Sequence, residues 1–166
     1  LKLTLDNLKR IVTKNTKVIS IAHITNTVGD IRPIKEIGEF AKANNIYFVV
    51  DGAQSVPHLK TDVNDLNIDF LAFSGHKMLG PTGIGVLYGK YSLLDKTSPI
   101  NFGGGMNTSF EANGEFEYKS LPTRLEAGTQ NIEGVLGLGT AIDYLNSIGM
   151  DNIHKYELEL DRKSTR

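Results

Sequence analysis

Phe70-Leu-Ala-Phe-Ser-Gly-His-Lys77, continuing through Met-Leu-Gly-Pro-Thr-Gly-Ile-Gly-Val-Leu-Tyr88, is an apolar run that stops abruptly in Ser74, Gly75, His76 and Lys77. A hydroxyl, an imidazole and an amine are thus delivered together at the end of a buried strand, which is where α/β sheets place their chemistry. From Ser74 to Gly85 the connection is too short and too rich in Gly and Pro to hold a crossover helix. The next strand, Val86 to Tyr88, is therefore predicted to run antiparallel to Phe70–Phe73.

Working upstream, Tyr47 to Val50 and Val18-Ile-Ser-Ile-Ala22 read as strands of near-continuous apolar character. Between them Asp30 and Pro33 open a helix with Ile34, Ile37, Phe40 and Ala41 on its inner face, closed by Asn44-Asn45. Strand, helix, strand in this order is a right-handed βαβ unit covered on both faces. Thr4 can cap a short helix carrying Leu5, Leu8, Ile11 and Val12, and a brief helical segment is expected from Asp62 to Leu66. Downstream, Tyr91 to Pro122 loses periodicity and includes Gly103-Gly-Gly105, so it reads as irregular or interface-forming loop. Asn131 then caps a helix with Ile132, Val135, Leu136, Ile142 and Leu145, ended by Gly149. The fold class is α/β, with a mixed, mostly parallel sheet and flanking helices.

The chain has 166 residues, 40% apolar and 22% charged, which suits a soluble globular domain. A formal charge of −1 with scattered basic residues gives no electrostatic footprint for nucleic acid. No apolar run approaches the roughly 20 residues that span a bilayer, and no secretory layout opens the chain, so no membrane partner and a cytoplasmic location are expected. With no cysteine there is neither a disulfide nor a thiolate nucleophile within these residues, and no metal site is called for. The chain begins without Met in the middle of a pattern, as a piece of a longer protein would. Asp161-Arg-Lys-Ser-Thr-Arg166 breaks an amphipathic pattern and reads as either a foreign tail or a frayed polar helix end.

Two patterns near the lysine mislead. Ser74-Gly-His-Lys77 matches the S-x-x-K pattern of serine acyl enzymes, but it lies at a strand end and has no Lys-Thr-Gly or Ser-Asp-Asn companion. Gly80-Pro-Thr-Gly-Ile-Gly85 looks like a phosphate loop, yet Val-Leu-Tyr follows it instead of a helix N-terminus. Its glycines serve to turn the chain back beside the lysine.

Val50-Asp-Gly-Ala-Gln-Ser-Val-Pro-His58 and Ser74-Gly-His-Lys77, taken together with Glu126-Ala-Gly-Thr-Gln-Asn131, carry a resemblance. The chain resembles, over nearly all of residues 1–160, the class V aminotransferase family of pyridoxal-phosphate (PLP) enzymes, most closely the cysteine desulfurases. The resemblance implies part of a fold-type I large domain, with an irregular dimer-interface region at about residues 91–130. It also implies PLP held as an imine by Lys77, with Asp51 keeping the pyridine nitrogen protonated. Asp51 follows one strand end and Lys77 the next, so adjacent parallel strands bring carboxylate and amine to one edge. Alone, Asp51 is most often a turn residue and Lys77 a solvated charge.

By the same resemblance Gln54 bonds the cofactor's phenolic oxygen, Ser74 and His76 bind its phosphate, and Thr129 reaches the phosphate in a neighbouring subunit of a homodimer. Asn26, in His23-Ile-Thr-Asn-Thr-Val-Gly29, would sit beside the cofactor and the substrate carboxylate; by itself an Asn near Gly is a turn former. His23 and His58 read as satisfied structural histidines.

The implied reaction converts L-cysteine to alanine and passes the sulfur to an enzyme cysteine, and from there to an acceptor protein, for iron–sulfur assembly. That cysteine and the arginine for the substrate carboxylate lie outside these residues, so the 166 residues alone are expected to be inactive. A selenocysteine lyase, a kynureninase-like hydrolase, an epimerase or a non-catalytic binding domain would share this section.

Overall fold

A computed structural model describes residues 2–164, and these fall into two compact units, one of residues 2–88 with 134–164 and the other Gly89–Glu133. In the first unit Thr4 caps helix α1 (Leu5–Ile11), its Oγ1 accepting from the Asn7 amide at 3.2 Å. Strand β1 (Val18–Ala22), helix α2 (Ile34–Ala43) and strand β2 (Tyr47–Asp51) follow, and β1 and β2 pair in parallel from Val18↔Tyr47 to Ala22↔Asp51. Strand β3 (Phe70–Ser74) pairs in parallel on the other side of β2, with Asp51 opposite Ala72.

Strand β4 (Gly85–Gly89) completes the sheet in the order β1-β2-β3-β4. The Gly75 amide donates to Ile84 O at 2.8 Å, so the end of β3 lies against the start of β4 and the chain doubles back. The sheet is mixed, as the short Ser74–Gly85 connection requires.

Side chains alternate across a strand, and the two faces of this sheet differ. Ile19, Phe48, Val50 and Leu71 point to one side and form the main core with Leu8 of α1, Ile34, Ile37 and Ala41 of α2, and Ile46 and Ile68. Phe48 and Val50 are fully buried, each gaining about 2 kcal/mol over exposure by the usual transfer scale. The alternate residues Ser20, Ala22, Asp51 and Ala72 stand on the opposite, accessible side, and at its far end Val18 and Tyr47 are exposed apolar groups.

Close approach of α2 to the segment before β3 depends on Gly38. A Cβ there would lie 2.1 Å from Leu66 O, a backbone atom that has no rotamer to escape into. The Asp62–Leu66 segment is a single turn, closed by Leu66 N to Asp62 O at 3.0 Å, and not a helix. The Asp62 carboxylate accepts from the Asn64 and Asp65 amides, bonds that hold its pKa below the usual carboxylate value.

Helix α4 (Ile132–Ile148) ends at Gly149, whose φ of +89° suits glycine, and helix α5 (Met150–Ser164) follows at once. α4 buries Gly134, Leu138, Ala141 and Leu145 and leaves Ile132, Val135, Leu136 and Ile142 exposed. Asp161 to Ser164 continue α5 without a break, while Thr165 and Arg166 of the terminal hexapeptide lie outside the described residues.

The second unit contains the short helix α3 (Tyr91–Leu94) and a hairpin of β5 (Asn107–Phe110) and β6 (Phe116–Tyr118). Part of what reads in the sequence as irregular loop is thus ordered strand. Phe110 stacks on Phe116 at 5.8 Å and Phe116 meets Tyr118 edge-on at 5.1 Å, and Arg124 bonds the carbonyls of Leu94 and Asp95.

Candidate functional site

The carboxyl ends of β1, β2 and β3 meet along one edge, and six of the seven residues singled out by sequence lie on or just after it. Asp51 is the last residue of β2, on the accessible face. Its Oδ1 accepts from the Ala53 amide at 2.9 Å, which fixes the carboxylate, and Oδ2 has no partner among the described residues. Ser74, the last residue of β3, shares that face, two positions beyond Ala72, which is Asp51's register partner.

His76 and Lys77 follow in a 3-10 turn, Gly75–Lys77, anchored on both sides. On one side Gly75 is bonded to Ile84 and packed so closely that a Cβ would come 2.7 Å from Ile84 Cγ2. On the other, Met78 is buried against Leu138 and Leu145 of α4. The exposed Lys77 amine and the His76 ring form no hydrogen bond or ion pair among the described residues. Two residues on, Leu79 has φ +65°, a left-handed conformation costly for a residue with a Cβ.

After Asp51 the chain folds into two tight turns, with the Ser55 and Val56 amides on Gly52 O and the His58 and Leu59 amides on Ser55 O. They present Gln54, whose Nε2 donates to Asn26 Oδ1 at 2.6 Å. Asn26 lies on a loop after β1 that is closed by an Ile24↔Ile31 bridge and by Arg32 N to His23 O at 2.9 Å. The structure therefore gathers Asp51, Gln54, Asn26, Ser74, His76 and Lys77 along one edge. Thr129 belongs to the second unit, where it is exposed after Gly128.

The histidines depart from the sequence reading in one case. His58 is paired, its Nδ1 2.6 Å from Glu157 Oε1. His23 is 7% exposed, and its Nδ1 has no partner among the described residues. Burial lowers the His23 pKa, so the ring is held neutral. Arg32, whose Nη1 donates to Ala22 O at 3.3 Å, likewise has a buried Nε with no partner among the described residues. The signal for His23 was its position: it continues the inward Ile19, Ile21 alternation.

The chain matches the class V aminotransferase family over residues 1–166. It is 49% identical over 156 residues to a probable cysteine desulfurase of Halalkalibacterium halodurans, covering 94% of this chain and 38% of that protein. It is 43% identical over 156 residues to a cysteine desulfurase of Haloferax volcanii, covering 94% of this chain and 36% of the relative. The apo structure of a cysteine desulfurase from Thermococcus onnurineus NA1 superposes with a TM-score of 0.94 at 39% identity, over 99% of this chain and 41% of that one. The Escherichia coli cysteine desulfurase CsdA gives 0.84 at 40% identity, over 89% and 37%. The chain thus spans about 38% of the length of the first of these relatives. A match running the length of the sequence, on a sheet whose carboxyl edge gathers the residues described above, means that the chain belongs to the class V aminotransferase family.

Proposed function

We propose that these residues are the cofactor-holding section of a PLP-dependent cysteine desulfurase. One observation carries this reading: Asp51 ends β2 and Lys77 lies in the turn directly after the adjacent parallel strand β3, at the same edge, and neither forms an ion pair among the described residues. Either one alone would be an ordinary turn or surface charge; brought to one edge beside Gln54, Ser74 and His76, the two make a donor set that structure does not call for. The donor set also fits PLP, with an unengaged amine, a carboxylate oxygen still open, and the Ser74 hydroxyl and His76 ring for an anion. When bound, PLP draws electrons from the substrate Cα.

Lys77 supplies the amine that would hold the cofactor, and the same amine is placed to move the proton at the substrate Cα. Asp51 keeps a proton on the ring nitrogen by its negative charge, and the Ala53 amide prevents it from turning away. Gln54, with one amide hydrogen engaged by Asn26, keeps the second and would donate it to the phenolic oxygen. Asn26 stands beside the substrate carboxylate, Ser74 and His76 bind the phosphate, and Thr129 serves the phosphate in the second subunit of a homodimer. The second unit supplies the dimer contact. The substrate is L-cysteine. A thiolate from outside these residues would attack the substrate sulfur, forming the persulfide S–S bond as the C–S bond breaks. The electron pair leaves on Cβ, which takes up a proton to become the methyl group of alanine, and an acceptor protein then receives the outer sulfur.

Borohydride reduction of the PLP-loaded complete gene product, followed by peptide mapping, tests the assignment. The label is expected on Lys77; a label on Lys60 or Lys90 would refute it.

A further inference from the structure

Helix α5 buries no residue of its own, yet Glu157 reaches a histidine 99 positions earlier, with 2.6 Å between Oε1 and His58 Nδ1. A nitrogen that close to a carboxylate carries a proton, so His58 donates through Nδ1–H and the bond is charge-assisted. His58 lies in the second of the two turns that run from Gly52 to Leu59. Four backbone hydrogen bonds and the fully buried Ser55 make those turns one stiff piece. Gln54 sits on the same piece, and Asn26, Gln54, His58 and Glu157 line one cavity of about 440 Å³ together with His154 and Leu158. A shift imposed at His58 is therefore carried to Gln54.

From this geometry we infer that Glu157 is a positioning residue for the cofactor site: through His58 it sets where the Gly52–Leu59 turns hold Gln54 against Asn26. The role given to Gln54 rests on the PLP reading above. Glu157 touches no reacting atom. Its effect passes through a pair that is about 40% exposed on each side, which keeps the expected effect modest.

The test compares Glu157→Leu, which removes the acceptor, with Glu157→Gln, which keeps an oxygen for Nδ1–H. In the cofactor-free complete gene product, amide exchange at Ser55, Val56, His58 and Leu59 is expected to rise roughly fivefold in the Leu variant and to return close to wild type in the Gln variant. Exchange at Phe48 and Val50 of β2 should stay unchanged, which separates a local release from general destabilisation. In the loaded protein, Glu157→Leu should shift the visible absorption band of the bound cofactor, and should add little in a Gln54→Ala background.

Exchange in the turns that ignores Glu157, or rises equally in β2, overturns the inference, as does full additivity with Gln54→Ala. If the turns depend on Glu157 but the protein takes up no PLP, the tie stands and the functional reading falls. If PLP binds normally and the turns do not depend on Glu157, the tie alone falls.

Discussion

Gln54 and Asn26 come from loops 28 residues apart and are joined by a 2.6 Å bond from amide nitrogen to amide oxygen. Each side chain fixes the other's orientation, so the pair presents a defined donor to the site edge. Asn26→Leu removes the acceptor at nearly constant volume and frees Gln54 to rotate. We expect PLP affinity, followed by spectrophotometric titration, to fall roughly 2- to 10-fold, the worth of one net hydrogen bond. Asn26→Asp, which keeps an acceptor, should lose less. Equal affinity in all three proteins would show that the pair does not position Gln54.

Asp51→Asn keeps an oxygen for the Ala53 amide, so the turn and cofactor retention should survive. A neutral amide cannot hold the ring proton, and that support matters most as charge develops at the substrate Cα. Turnover of L-cysteine by the complete gene product is expected to drop by about 100-fold or more, with PLP content unchanged. Near-parental turnover would remove Asp51 from the mechanism.

At Gly38 the space for a side chain is already occupied by a carbonyl. Gly38→Ala sets a Cβ against Leu66 O, and either α2 or the Asp62–Leu66 turn has to move. Urea denaturation should register a loss of about 3 kcal/mol, in the range of severe overpacking. An unchanged midpoint would mean that α2 does not approach this closely.

His23 makes stability depend on acid. Burial lowers its pKa in the folded chain, whereas the unfolded chain titrates near about 6.5. As pH falls below that value the unfolded state takes up a proton that the native state refuses, so native stability declines until the folded pKa is passed. His23→Leu should flatten this part of the profile relative to wild type. Parallel wild-type and variant curves between about pH 6.5 and 5 would show that His23 is not held neutral.

Much of this was readable because burial on both faces writes itself as continuous apolar text. Val18–Ala22 appears as a strand with the boundaries expected, and Asp51 and Lys77 stand out because each terminates such a run. Where the text is less monotonous the reading failed. The β5–β6 hairpin is polar and short, although Asn113-Gly114 between two phenylalanines, with Gly114 at φ +88°, carried a turn signal. In α4 the large apolar residues drew attention, but the helix packs through Gly134, Ala141 and two leucines, because small residues permit close approach. The Glu157–His58 pair spans 99 positions, and no local pattern announces it.

The strand order has a consequence for how the chain behaves in a tube. With β1 and β4 at the margins of the sheet, each offers a row of amide and carbonyl groups along one side, and Val18 and Leu87 add exposed apolar surface at those same margins. Copies of the 166 residues handled by themselves are thus equipped to extend one another's ladders. Their light scattering should climb steeply with protein concentration and with warming, and substituting lysine for Leu87 should delay that climb.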